Sequence, residues 1–250
     1  MQKEAEKNKA GWESLAEKWK DVKWPRRPKW KGEWERVGPL LSEVGKEVLI
    51  FGATPEFRAW MKNARITVYE KSEVSYRAMT KILKSDFGVE PKNEEVVMED
   101  WGSDFCEKNR YSILLGDAIL GYLGTKEAVA GFLEKAWWMM KKGGYFVLRE
   151  FSHVPRTHNG YMRMPVDLRR WAYIMTPGFA IEGGVFYEEM LAERLKEIGD
   201  YECLGTCANP PRTRVIFTPK ESESLFSLFF EVEMVIGPTS STPGLWVLKK

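Results

Sequence analysis

The chain has 250 residues, 44% hydrophobic, 13% aromatic and 30% charged, and its 38 Lys+Arg against 36 Asp+Glu leave a formal charge of +2. That length can bury roughly 70–75% of the surface of the unfolded chain, and the composition excludes disordered, collagen-like and fibrous classes. The near-neutral balance excludes a whole-chain field of the kind that marks nucleic-acid or anionic-membrane binders, so any such role needs a local patch.

The first residues, MQKEAEKNKAGWE, lack the apolar stretch of a secretory signal, and no run of about 18 apolar residues occurs anywhere. A cytoplasmic protein with no membrane contact is expected. Cys106, Cys203 and Cys207 are too few and too irregular for a disulfide framework. Cys203 and Cys207 would supply only part of a metal site, so ordinary thiols and no metal are expected.

Five of the eleven tryptophans, Trp12, Trp19, Trp24, Trp30 and Trp34, fall in the first 36 residues among eleven Lys/Arg and seven Asp/Glu, a local charge of +4. Basic residues interleaved with aromatics would suit a stacking platform for single-stranded nucleic acid. However, Trp12, Leu15, Ala16 and Trp19 follow the i, i+3, i+4, i+7 spacing of one apolar helix face. That spacing predicts a helix docked on the domain, ended by Pro25 and Pro28. Residues 1–45 are read as an N-terminal, Trp-rich helical cap.

From residue 46 short apolar runs alternate with helical stretches. Strands are predicted at Glu47–Phe51, Ile66–Tyr69, Glu95–Met98, Tyr111–Leu115 and Tyr145–Arg149, with helices at about 55–63, 73–84 and 126–141, the last stopped by Lys141-Lys142-Gly143-Gly144. After residue 151 the alternation loosens. A segment rich in Arg, His, Met and Pro leads to a helix at about 186–198, a strand-like run Arg212–Phe217 and a short helix near 221–229. Phe230–Ile236 and Leu245–Leu248 then pair antiparallel across a short loop. The expected fold is α/β: a doubly wound, mostly parallel seven-stranded sheet with an antiparallel C-terminal hairpin. It is expected as one domain, with a core over 46–150, an acceptor-binding region over 151–220 and a closing helix and hairpin over 221–250.

In an open doubly wound sheet the ligand lies at the carboxyl ends of the strands. Strand one ends in Gly52-Ala53-Thr54-Pro55, a glycine turn with Thr54 at a helix N-cap and Pro55 at the first helical position. Strand two ends in Glu70-Lys71, with Glu70 eighteen residues after Gly52, a spacing that suits an acid accepting from both ribose hydroxyls. Strand three ends in Glu99-Asp100-Trp101, an acid for an amino group beside an indole for a ring. Strand four ends in Gly116-Asp117-Ala118. So many carboxylates repel a pyrophosphate and suit a nucleoside carrying a cationic or zwitterionic group.

In their order, these signals resemble the class I S-adenosylmethionine-dependent methyltransferases. Val48–Glu56 is similar to the family's first motif, Val68–Lys71 to its acidic second strand end, Met98–Trp101 to its adenine-contacting loop, Tyr111–Leu120 to its fourth strand and Leu133–Arg149 to its helix, turn and fifth strand. The chain departs from the pattern in keeping one glycine, Gly52, where the family has two or three, and in reading KKGG before strand five. The resemblance implies S-adenosylmethionine as cofactor and S-adenosylhomocysteine as product. It also implies that Gly52, Ala53 and Thr54 pass beneath the cofactor and Glu70, flanked by Lys71, holds the ribose. Asp100 and Trp101 would frame the adenine, and Asp117 with Ala118 would lie near the methionine portion.

Methyl transfer from a sulfonium needs positioning above all, and a base only where the acceptor arrives protonated. His153 and His158 are the candidates for that base, and Trp19, Arg149 and Arg156 for contacts to a small-molecule acceptor with an O, N or S nucleophile. Nucleic acid is disfavoured, because strand four lacks the Asn/Asp-Pro-Pro-aromatic motif that holds a flipped base. RNA methylation through the basic N-terminus, a nicotinamide-dependent oxidoreductase and a non-catalytic cofactor scaffold stand as alternatives. No motif specifies an acceptor or an oligomeric state.

Overall fold

The computed structural model describes residues 28, 30–101, 103, 107–152, 166, 169, 173, 181–182, 185–205, 213–237 and 244–250. The expected helix around Trp12–Trp19, the side chains of Trp19, His153, Arg156 and His158, and Cys106 and Cys207 lie outside these residues. Two compact units interleave along the chain: Met1–Asp117 with Lys135–Leu148 and Val247–Lys250, and Ala118–Glu134 with Arg149–Trp246. Among the described residues no helix is long and apolar enough to cross a membrane.

Among the described residues the first element is a π-helical turn, Trp30–Trp34, running into α1 (Glu35–Ser42). Trp34 is buried and stacks on Trp60, the rings 4.4 Å apart, which sets this turn against the end of the next helix. Then follow β1 (Glu47–Phe51), α2 (Pro55–Trp60), β2 (Arg65–Tyr69), α3 (Glu73–Phe87), β3 (Glu94–Val97) and β4 (Tyr111–Asp117). After a single 3-10 turn at Leu120–Tyr122 come α4 (Lys126–Met139) and β5 (Met140–Glu150). Further on lie β6 (Ile181–Glu182), β7 (Val185–Tyr187), α5 (Glu188–Glu197), α6 (Tyr201–Leu204), β8 (Thr213–Val215), α7 (Pro219–Phe226), β9 (Glu231–Ile236) and β10 (Gly244–Lys249).

Seven strands form one sheet in the order β3-β2-β1-β4-β5-β10-β9, parallel where β1 meets β2 and β4 and where β2 meets β3, with an antiparallel hairpin at its C-terminal edge. Val48, Leu49, Ile50, Val68, Ile113, Leu114 and Leu115 are all fully buried, as strands covered on both faces must be. From residue 46 on, the expected strands and helices are present with ends shifted by a few residues. Helix α2 stops at Trp60, where Met61 N–H bonds Phe57 O, instead of reaching 63, whereas α3 runs on to Phe87. There Gly88, at φ +62°, turns the chain and lets its N–H cap the last carbonyls.

Two expectations about elements are corrected. Lys141–Gly144 does not stop the preceding helix but opens β5. The helix ends because Asn109 N–H and Arg110 N–H take the carbonyls of Trp138 and Met139 (2.9 and 3.0 Å), and the glycines pair with Lys250 in both directions (2.9 and 3.1 Å). The helix expected from about 186 is preceded by β7, which joins β6 and β8 in a separate antiparallel three-stranded sheet. So short a strand, next to a helical pattern, carries no period of its own.

Buried among α2, α3 and β3 is an ion pair. Arg58 donates from Nε and Nη2 to the two oxygens of Glu94 (2.9 and 2.7 Å), with side-chain exposures of 0% and 2%. Tyr76 OH also donates to Glu94 (2.7 Å), and Arg58 Nη2 to Thr80 Oγ1 (2.9 Å). Burial, and then Glu94, push the Tyr76 phenol pKa up.

Replacing Glu94 with Gln leaves the Arg58 charge buried without its counterion, and should cost about 3–5 kcal/mol in urea unfolding. Gly144→Ala would place a Cβ 2.8 Å from the Ser112 carbonyl and 3.0 Å from that of Lys141. Overpacking of that kind should cost about 1–3 kcal/mol, seen as a lower Tm.

Candidate functional site

The carboxyl ends of β1, β2 and β3 meet in the first unit, and the residues expected to bind a ligand converge there. Gly52 leaves β1 at φ +83° and donates its N–H to Tyr69 O on β2 (2.8 Å). A residue with a side chain is strained in that conformation, which accounts for the one glycine retained in this turn. Ala53 is buried; Thr54 stands at the N-cap of α2, but its hydroxyl makes no capping bond, so the helix start rests on Pro55 instead.

Glu70 follows β2 and is 9% exposed. Its Oε1 accepts from Ser72 N–H (3.0 Å) and its Oε2 from Ser75 Oγ (3.1 Å). Both oxygens are therefore anchored on the first turn of α3, where the aligned peptide dipoles favour a negative charge. A carboxylate oxygen carries two lone pairs, so each retains acceptor capacity. This is a positioned acid, not a solvated one. Ser72 and Ser75 did not figure among the expected site residues. Their signal is the S-x-x-S spacing after Glu70, with Ser72 capping α3 through its own Oγ to Ser75 N–H (3.2 Å).

Lys71 and Asp100 form an ion pair at 2.9 Å, with side chains 70% and 56% exposed. Trp101, one residue on, is partly buried, and its indole N–H donates to Tyr69 O at 3.0 Å. Its Cζ2 lies 3.6 Å from where a Cβ on Gly52 would stand. The Tyr69 carbonyl thus collects donors from the ends of both β1 and β3. Burial, and then Tyr111, push the phenol pKa of Tyr69 up, so the ring is a neutral part of the core. Asp117 ends β4 and is half-buried.

The second unit holds the other expected residues within the described chain. Ala118 has φ +54° and donates to Arg149 O at 2.6 Å. Arg149, expected as the last residue of the fifth strand and as an acceptor contact, lies inside β5 and is 1% exposed, which leaves it little surface for an acceptor. Glu150, also in β5 and buried, accepts from Leu120 N–H at 2.8 Å. Arg214 lies over the ring of Tyr122 at 4.5 Å, and Arg169 sets its Nε 2.9 Å from Asp200. Burial, and next Asp200, push the Tyr173 phenol pKa up. These pairs join residues far apart in sequence, and no local spacing announces them. Among the described residues no group of three His, Cys, Asp or Glu is placed to hold a metal ion.

No family model and no curated protein matches the chain. Among solved structures it is similar to an S-adenosylmethionine-dependent methyltransferase from Methanosarcina mazei, at 15% identity and TM-score 0.55 over 85% of this chain and 94% of that one. It is similar also to Burkholderia thailandensis 1,6-didemethyltoxoflavin-N1-methyltransferase, crystallised with 1,6-didemethyltoxoflavin and S-adenosylhomocysteine, at 13% and 0.56 over 100% and 89%. A protein from Rhodobacter sphaeroides named as a Zn-dependent alcohol dehydrogenase matches at 14% and 0.59 over 97% and 98%. At these identities the likeness establishes the fold, which is the Rossmann-like fold of class I methyltransferases.

Glu70→Gln keeps one acceptor oxygen but loses the second, together with the charge at the start of α3. A loss of about 1–2 kcal/mol in thermal or urea unfolding is expected, with the fold retained by circular dichroism.

Proposed function

We propose that the chain is a class I methyltransferase that binds S-adenosylmethionine over the ends of β1, β2 and β3 and methylates an O, N or S nucleophile of a small molecule. The observation that carries this reading is Glu70: an acid at the end of β2, buried and fixed through both oxygens, beside a bare glycine turn at φ +83°. The residues fit the nucleoside. Gly52 supplies a backbone without a side chain, Glu70 supplies lone pairs for two hydroxyls, and Asp100 is an exposed acceptor for an amine.

The bound cofactor would supply an activated methyl on a sulfonium with a good leaving group. The chain's own part is positioning. Glu70 is held before any ligand arrives, so little side-chain entropy is lost on binding, and carboxylates such as Asp117 favour a cationic centre near them. Ala53 and Thr54 contribute backbone at the end of β1, Ala118 is the backbone contact proposed after β4, and Lys71 pairs with Asp100. Residues 151–220 form the proposed acceptor region, with Arg156 and Trp19 as acceptor contacts and His153 and His158 as groups that take a proton from an acceptor arriving protonated. A small-molecule acceptor is supported by the Burkholderia neighbour, whose acceptor is of that class.

Calorimetric titration with S-adenosylmethionine, S-adenosylhomocysteine and NAD tests the reading. Micromolar binding of the first two, and none of NAD, is expected. Because Glu70 would serve a nicotinamide ribose equally well and one neighbour is named as a dehydrogenase, binding of NAD alone would replace the proposal with that activity. Glu70→Ala should weaken S-adenosylhomocysteine binding by about 10- to 100-fold, the worth of one or two charge-assisted hydrogen bonds. Unchanged affinity would remove Glu70 from the site.

A further inference from the structure

Trp101 stands where a ligand would have to lie. Its ring edge is in van der Waals contact with the space above Gly52, at 3.6 Å from the Cβ position, and its N–H is turned inward to Tyr69 O at 3.0 Å. The same carbonyl already accepts from Gly52 N–H. The indole edge therefore lies over the bare backbone of the glycine turn, on the surface a ligand ring would approach. In outline the indole, a planar bicycle with one N–H donated to a backbone carbonyl, resembles an aminopurine.

We infer that Trp101 is a displaceable internal occupant of the ring slot over Gly52, and that a nucleoside ligand binds by expelling it. The inference rests on the proposed cofactor reading and goes beyond it, since the family resemblance implies only that Trp101 helps frame the adenine as a stacking wall. The hold on the ring is modest. It consists of one neutral hydrogen bond and packing on a partly buried side chain. The residues around it are tied by Ser103 N–H to Asp100 O (2.9 Å), Ser103 Oγ to Glu99 (2.9 Å), Lys135 Nζ to Ser103 O and the exposed Lys71–Asp100 pair. The two exposed contacts among these, Ser103 Oγ to Glu99 and Lys71 to Asp100, contribute little, and none of the four belongs to the ladder of the sheet. When an internal group occupies the slot for most of the time, apparent affinity falls in proportion to the fraction of molecules that are open.

Trp101→Phe keeps an aromatic ring but removes the N–H, whereas Trp101→Ala removes the occupant. Titrating the full chain and both variants with S-adenosylhomocysteine, with unfolding scans as a control for folding, should show Trp101→Phe binding roughly three- to tenfold tighter than the parent, and Trp101→Ala at least as tightly as Trp101→Phe. With 5-fluorotryptophan incorporated, the fluorine resonance that Trp101→Phe abolishes should shift on adding ligand. A stacking wall gives the reverse pattern, with Trp101→Phe unchanged and Trp101→Ala weaker, and that result overturns the inference while leaving the cofactor reading intact. Should the parent and both variants all fail to bind, the cofactor reading falls and the inference with it. Because Trp101→Phe is conservative, it carries the test even if Trp101→Ala unfolds.

Discussion

One backbone oxygen organises the candidate site. Tyr69 O accepts from Gly52 N–H and from the Trp101 indole, and so ties the ends of β1 and β3 to the end of β2. An oxygen with two lone pairs can hold two donors, and here both are occupied. The next residue, Glu70, is carried by the same strand end into the first turn of α3. The turn at Gly52, the orientation of the indole and the placement of the acid are thus consequences of where β2 stops. Moving that end by one residue would reverse the direction of each side chain that follows, because strand residues alternate faces.

Each unit buries an ion pair among its packed elements. The large sheet is buried through its middle strands, and its stability is that of apolar packing. At its edge the first unit adds an ion pair, Arg58 with Glu94, that has lost water on both sides and is matched by a hydrogen bond from Tyr76 to Glu94 and one from Arg58 to Thr80. The second unit has Arg169 against Asp200, with Tyr173 and Cys203 N–H also bonded to that carboxylate. In such pairs the mutual attraction is largely offset by the hydration the two charges lose, so an intact pair adds little net stability while loss of one partner costs much.

Much of the large sheet was legible in the sequence because parallel strands buried on both faces read as near-continuous apolar runs, and EVLIF, ITVY and YSILL do so. The positions of Gly52, Glu70, Asp100 and Trp101 at strand ends were legible for the same reason. What the residues do there was less so. That Glu70 is bonded to Ser72 and Ser75, or that Trp101 faces Gly52 across another strand's carbonyl, depends on contacts between segments that no local pattern encodes. Arg149 misled because a charged residue at the end of an apolar run reads as one that faces a ligand, whereas here its side chain is buried within the fold. The KKGG turn misled in the same way: glycines that usually stop a helix instead start a strand, since their partner, Lys250, is more than a hundred residues distant in sequence.

That distant partner has a bearing on the order in which the molecule assembles. Lys250 bonds Gly143 and Gly144 through its backbone, and its ammonium donates to Met140 O and to Asn109 Oδ1, a separation of 141 residues. The strand that flanks β5 is therefore synthesised long after β5 itself, and closing a loop of that size must precede any gain from the pairing. During translation one edge of β5, apolar on both faces, has to wait uncovered for its neighbour. The exposed lysines at its start, Lys141 and Lys142, place charge on that edge during the wait, which is a known defence of open strands against pairing with another chain.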